Sequence, residues 1–304
     1  MKKLLYIIPL VLIAIVAIGY GVTKRGNKTS YDSVSSTAGT PMAQPENKAV
    51  AKKMVGDEHG VKLAGTRIDL QNTNNLKPGS VTLAFKLYGI DAHEFGPDDL
   101  KIAHGKLMHL ILVRDDVTGF QHLHPEYQDG RWTVATNIPA QGVYQMYVDI
   151  EPKEEKPTTL RVPITVGGPT EKVQFPEVST DMSATVGDIT VALQTDSSLK
   201  TKEETKMIFV LTQNSKPVTQ INPYLGAFGH VVLLRHTEAS HYLHAHPITK
   251  TNPTDGKVVF ETEFPTTGTY TIFAQFSVNG QVKTFPITVK IGNVGQAGLD
   301  VSGH

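Results

Sequence analysis

The sequence predicts an all-β protein: two tandem immunoglobulin-like antiparallel β-sandwiches behind an N-terminal membrane-spanning helix. Three observations carry this expectation. One long apolar run opens the chain, and the remainder is built of short β-branched and aromatic segments separated by Gly, Pro, Asn and Asp. A set of landmarks also occurs twice in the same order. Ile138-Pro-Ala-Gln-Gly142-Val-Tyr144 returns as Phe264-Pro-Thr-Thr-Gly268-Thr-Tyr270, and Val162-Pro-Ile-Thr-Val166 returns as Phe285-Pro-Ile-Thr-Val289. Upstream of each pair, Asp69-Leu-Gln71 resembles Ala192-Leu-Gln194.

Lys2 and Lys3 precede the uncharged run Leu4 to Val22, and Lys24, Arg25 and Lys28 follow it. The run has 19 residues, enough for a helix to cross a bilayer. Ala17-Ile-Gly19 is a poor cleavage signal. Residues 1–23 are therefore expected to be an uncleaved anchor, with the bulk of the chain extracytoplasmic at the cell membrane; a cleaved signal and a secreted product are the alternative. Residues 24–57 are polar and weakly periodic, the composition of a flexible stalk.

The first repeat is expected over 58–168, with strands at Val81 to Leu87, Leu107 to Val113, Arg131 to Thr136, Tyr144 to Ile150 and Leu160 to Val166. The second spans 169–293, with strands at Lys206 to Leu211, His230 to Arg235, Val258 to Glu263, Tyr270 to Phe276 and Lys283 to Ile291, before a tail over 294–304. Tyr144 and Tyr270 each follow a glycine turn and open a late strand, as in the tyrosine corner of immunoglobulin-like folds. Trp132 is expected in the core. Val166-Gly-Gly-Pro169 punctuates the joint and predicts two separately folding domains.

Composition limits function. Lys plus Arg and Asp plus Glu both number 29, so no nucleic-acid partner is indicated. Cysteine is absent, which excludes disulfides and thiolate metal sites and leaves the 12 histidines as the available nitrogen ligands.

Those histidines are patterned. His109-Leu-Ile-Leu-Val-Arg114 precedes Phe120-Gln-His122-Leu-His124-Pro125, and His230-Val-Val-Leu-Leu-Arg235 precedes Tyr242-Leu-His244-Ala-His246-Pro247. Alternate strand residues share a face, so His122 and His124 point together, as do His244 and His246. An antiparallel hairpin centred between Asp116 and Val117 sets His109 opposite His124, with paired Cβ atoms about 5 Å apart. A one-residue slip would scatter the cluster. The second hairpin carries one more turn residue, which relaxes its geometry. His104 is the expected fourth ligand of the first site; Leu225 stands at the matching position, so His236 or His241 would have to complete the second. The first site is accordingly expected to bind more tightly.

His104-Gly-Lys-Leu-Met-His109, Phe120-Gln-His-Leu-His-Pro125 and Tyr224-Leu-Gly-Ala-Phe-Gly-His230 resemble motifs of poorly characterised bacterial membrane-anchored or secreted β-sandwich proteins with repeated His-x-His-Pro hairpins, found in heavy-metal-related contexts. The resemblance covers both repeats and implies exported β-sandwich domains and a metal, with no reaction attached.

Neutral imidazoles suit Cu(II) or Zn(II). Met108 should face away from His109, and no Asp-rich loop indicates calcium. The expected function is a membrane-anchored extracytoplasmic protein that sequesters, buffers or delivers Cu(II) or Zn(II) through a histidine cluster in each repeat, with a metal-handling membrane protein as partner. The alternative is a non-metal accessory module of a membrane complex. A three-histidine hydrolase is a third reading, but Glu126 after Pro125 is matched by Ile248, leaving no repeated general base; an enzyme is not expected.

Overall fold

Along Thr158–Val166 buried and accessible residues alternate strictly, the signature of a strand with one face in a core. The same pleat organises the rest of the chain. The computed structural model describes residues 53–57, 60–62, 65–170, 172–195, 198–237 and 242–292. The expected membrane helix (1–23) and tail (294–304) lie outside them. Among the described residues no helix is long and apolar enough to cross a membrane.

The first repeat contains β1 (Lys53–Asp57), β2 (Gly60–Lys62), β3 (Arg67–Leu70), β4 (Gly79–Tyr88), β5 (Met108–Arg114), β6 (Gln121–Leu123), β7 (Glu126–Gln128), β8 (Arg131–Ile138), β9 (Gly142–Ile150) and β10 (Thr158–Val166). One sheet has the order β3-β4-β8-β7 and the other β2-β1-β10-β9-β5-β6. This division, with β5, β9 and β10 facing β3, β4, β8 and β7, is the strand arrangement of an immunoglobulin-like sandwich. The last residues of the expected stalk, Lys53–Asp57, form a strand. Backbone pairing of Lys53 with Leu160 and Met54 with Thr159 adds β1 to the edge of β10.

The second repeat contains β11 (Ser183–Val186), β12 (Ile189–Thr195), β13 (Glu204–Gln213), β14 (Lys216–Pro217), β15 (His230–Arg235), β16 (Tyr242–Ala245), β17 (Lys257–Glu263), β18 (Gly268–Val278) and β19 (Gln281–Ile291). Its sheets run β11-β12-β13-β14, with β17 also on β13, and β16-β15-β18-β19. All ten strands expected from sequence are present.

Each sandwich has its own core. Leu110, Leu112, Trp132, Tyr144 and Met146 are among the buried residues of the first; Phe209, Phe260, Phe276 and Phe285 are among those of the second. The Trp132 indole donates to the Phe95 carbonyl at 2.9 Å, and Met108 points into this core, away from the His109 face. Both tyrosine corners form: the Tyr144 hydroxyl donates to the Ala140 carbonyl at 2.9 Å and that of Tyr270 to the Thr266 carbonyl at 3.0 Å.

A third core joins the repeats. Ile111, Val113, Val117 and Tyr147 pack against Val232, Leu234 and Phe273. Phe120 stacks on Phe273 at 4.1 Å between ring centroids, and Tyr147 on Tyr242 at 4.5 Å. These two stacks are counterparts, because Phe120 matches Tyr242 and Tyr147 matches Phe273 in the repeat. The two repeats, each with its own core, are therefore also packed together: the histidine-bearing sheet of each covers that of the other. The sequence carried a signal for this. Leu110 to Val113 and Val231 to Leu234 are uninterrupted apolar runs, as in strands buried on both faces.

Candidate metal centre

The expected hairpin register is the observed one. Leu110 pairs with Leu123, Ile111 with His122 and Leu112 with Gln121, which continues to His109 opposite His124. In the second repeat Val231 pairs with Ala245 and Val232 with His244, so His230 falls opposite His246 despite the extra turn residue. The candidate ligand nitrogens of His109, His122 and His124 all lie within 4.8 Å of one another, and so do those of His230, His244 and His246.

Hydrogen bonds outside the triads select one nitrogen of each inner ring. His109 Nε2 donates to the Ala103 carbonyl at 3.1 Å, and His230 Nε2 to the Tyr224 carbonyl at 2.9 Å. Both carbonyls belong to tight turns whose central residues have positive φ: His104 at 49° and Gly105 at 76°, Leu225 at 53° and Gly226 at 76°. Glycine at the second centre suits this turn type. His122 Nδ1 donates to Gln275 Oε1 at 2.7 Å, and His244 Nδ1 to Asp149 Oδ2 at 2.9 Å. Asp149 pairs with His109 across β5 and β9, and Gln275 pairs with His230 across β15 and β18. The two contacts are thus reciprocal: each repeat orients a histidine of the other, as across a two-fold interface.

With those protons assigned, lone pairs remain on His109 Nδ1, His122 Nε2, His230 Nδ1 and His244 Nε2. Buried His124 Nε2, His230 Nδ1, His244 Nε2 and His246 Nε2 have no hydrogen-bond partner. His109 Nδ1 faces His122 Nε2 at 3.0 Å, close to the about 3.3 Å that separates two nitrogens on one tetrahedral ion. An unpaired buried polar atom is costly, and a shared cation satisfies all three nitrogens of a triad at once.

Electrostatics keeps the rings neutral. Burial pushes His122 down to about 4, His124 to about 3, and His230 and His246 to about 2, with neighbouring imidazoles adding to the shift. His109 and His244 are also lowered, chiefly by burial. The Asp149 carboxyl is raised by burial, opposed by hydrogen bonds from Thr159 and Tyr242. Neutral imidazole is the form that ligates a metal.

The structure relocates His104. Its exposed ring stacks on His246 of the second triad at 3.4 Å between centroids, and lies 6.2 Å from His109. It does not join the first triad, so the basis for ranking that site tighter is lost. His236 is used elsewhere: its Nε2 meets the Thr271 hydroxyl at 2.8 Å and its ring stacks on Phe175. His241 lies outside the described residues. Sequence reasoning missed Asp149 and Gln275, which sit on late strands of their repeats; their matched places in the two repeats were the available signal. The one histidine cluster expected in each repeat lies beside the other: His109 is 5.5 Å from His244 and 6.2 Å from His230 between ring centroids.

No curated protein matches the chain. Among solved structures it is similar to the Escherichia coli adhesin FdeC, at 17% identity over 75% of this chain and 64% of that one, with a TM-score of 0.24. The chain thus spans less than two thirds of that adhesin chain. It is also similar to fibronectin(III)-like modules of Clostridium thermocellum CbhA, at 11% identity over 74% of this chain and 92% of that one, with a TM-score of 0.20. At those scores the sandwich assignment rests on strand order alone. Residues 61–168 and 184–293 each match the family described as Domain of unknown function (DUF8832), and nothing in that match brings a heavy-metal context. The chain belongs to the DUF8832 family and carries its domain twice.

Proposed function

We propose that this protein binds Cu(II) or Zn(II) through His109, His122 and His124 and through His230, His244 and His246. The observation that carries the reading is the convergence of imidazole nitrogens in threes, with His124 Nε2, His230 Nδ1, His244 Nε2 and His246 Nε2 buried without partners, while a carbonyl, amide or carboxylate holds the opposite nitrogen of His109, His122, His230 and His244. Metal-ligating histidines are oriented in this way. All-nitrogen donor sets favour copper and zinc over magnesium or calcium. The apolar run Leu4 to Val22 supports an anchored, extracytoplasmic protein, and the near-neutral charge balance supports no nucleic-acid partner. The role is sequestration, buffering or delivery of the ion to a metal-handling membrane protein, without catalysis.

Metal analysis and calorimetry of the purified full-length chain test this. Binding at micromolar or tighter affinity is expected, with loss of one ion on His122→Ala/His124→Ala and of another on His244→Ala/His246→Ala. Wild-type protein that binds no more metal than the variant lacking all four histidines would leave the triads as structural polar clusters.

A further inference from the structure

We infer that the two triads form one dinuclear centre, which holds two ions together with a small anionic ligand between them; this rests on the metal-binding reading above. Ring spacing is the first ground. His109 and His122 lie 5.2 Å apart between centroids within the first triad, and His230 and His244 lie 5.8 Å apart within the second. Across the boundary His109 lies 5.5 Å from His244, His122 5.5 Å from His244 and His122 5.9 Å from His230. The closest rings of opposite triads are 5.5–6.2 Å apart, only somewhat farther than the 4.7–5.8 Å found within a triad. A ligating ring has its centroid about 3 Å from the ion, given a metal–nitrogen bond of about 2 Å. Ions held by rings this close approach the roughly 3.5–4 Å spacing of two-metal sites.

Charge is the second ground. The six imidazoles are neutral ligands, and the carboxylate that meets one of them from outside is Asp149, at His244. Two divalent ions would therefore place four positive charges in a largely buried site with one negative charge beside them. Such repulsion is poorly screened away from bulk water. An anion bound to both ions relieves it and occupies the coordination position that three histidines leave open on each. Hydroxide fits: a water bound between the ions releases one proton to solvent, its acidity raised by the metal, and no electron changes hands. Chloride or azide from solution would serve the same role. His104, exposed and stacked on His246, marks where the centre comes nearest to solvent.

The test uses full-length protein in detergent, titrated with Cu(II) in perchlorate, then in chloride or azide, with metal analysis and electron paramagnetic resonance. Two ions per chain are expected, the second binding about tenfold more tightly when a coordinating anion is present. Its arrival should drop the integrated signal well below that of two isolated ions or add a half-field line. His124→Ala and His246→Ala should each retain one ion with an isolated signal, thermal melts reporting that they fold; the wild-type titration decides without them. Two ions with fully additive signals in every anion, or one ion per chain in all of them, would overturn the dinuclear centre while leaving metal binding intact. No bound ion at all would remove both readings.

Discussion

His244 Nδ1 donates to Asp149 Oδ2 at 2.9 Å across the boundary between the repeats, and its counterpart His122 donates to the uncharged Gln275. Asp149 also accepts from the Thr159 hydroxyl at 2.6 Å and the Tyr242 hydroxyl at 2.5 Å, which hold it in place. Gln275 is anchored less strongly, donating to the Thr284 hydroxyl at 3.0 Å. The repeats are thus alike in geometry and unequal in charge.

A carboxylate behind a ligand histidine raises its basicity, so the second triad should bind the tighter ion. Asp149→Asn keeps an acceptor and removes the charge. It should weaken the tighter binding phase about tenfold and leave the other nearly unchanged. Calorimetric titration of both proteins checks this; a loss confined to the weaker phase would return the first triad to the higher rank.

Metal-free stability should fall in acid. Unfolded histidines titrate near 6.5, whereas burial holds His122, His124, His230 and His246 at about 4, 3, 2 and 2. Between those values the unfolded chain binds protons that the folded chain does not. The stability is present in full above about pH 6.5 and is lost progressively as pH falls towards the folded values. Melting temperatures of the chelator-treated protein should decline from pH 7.5 to pH 5. An unchanged melting temperature would mean that the rings are solvated or already protonated.

Separating the repeats at Gly167–Gly168 should cost metal affinity more than secondary structure. Each half keeps its own core, but Ile111, Val113 and Tyr147 lose Val232, Leu234 and Phe273. His122 and His244 lose the partners that orient them. Each half should give a β-rich spectrum yet bind metal about tenfold or more weakly than the intact chain. Equal affinity in an isolated half would show that the cross-repeat contacts do not set ligand geometry.

Tyr144→Phe and Tyr270→Phe separate stability from binding. Each removes a corner hydroxyl and leaves the Ala140 or Thr266 carbonyl short of a donor. A cost of about 1–3 kcal/mol is expected in chemical denaturation, with metal stoichiometry unchanged. A lost ion in either variant would mean that the corner also positions the triads.

Local pattern along the chain suffices for the all-β class, the ten main strands, the tyrosine corners and the grouping of His109, His122 and His124 and of His230, His244 and His246. These follow from period-2 alternation, from turn chemistry and from a hairpin register fixed by burial of one face, all local along the chain. It could not decide that the triads meet, because the outward face of one strand is silent about what covers it. Only the packing of β5 and β9 against β15 and β18 set Asp149 behind His244, Gln275 behind His122 and His104 over His246. These contacts span about a hundred residues or more of chain and belong to neither repeat alone. The apolar runs Leu110 to Val113 and Val231 to Leu234 recorded that both faces are buried. Which surface buries the second face depends on shape and charge complementarity between the repeats, and that exists only once both have folded.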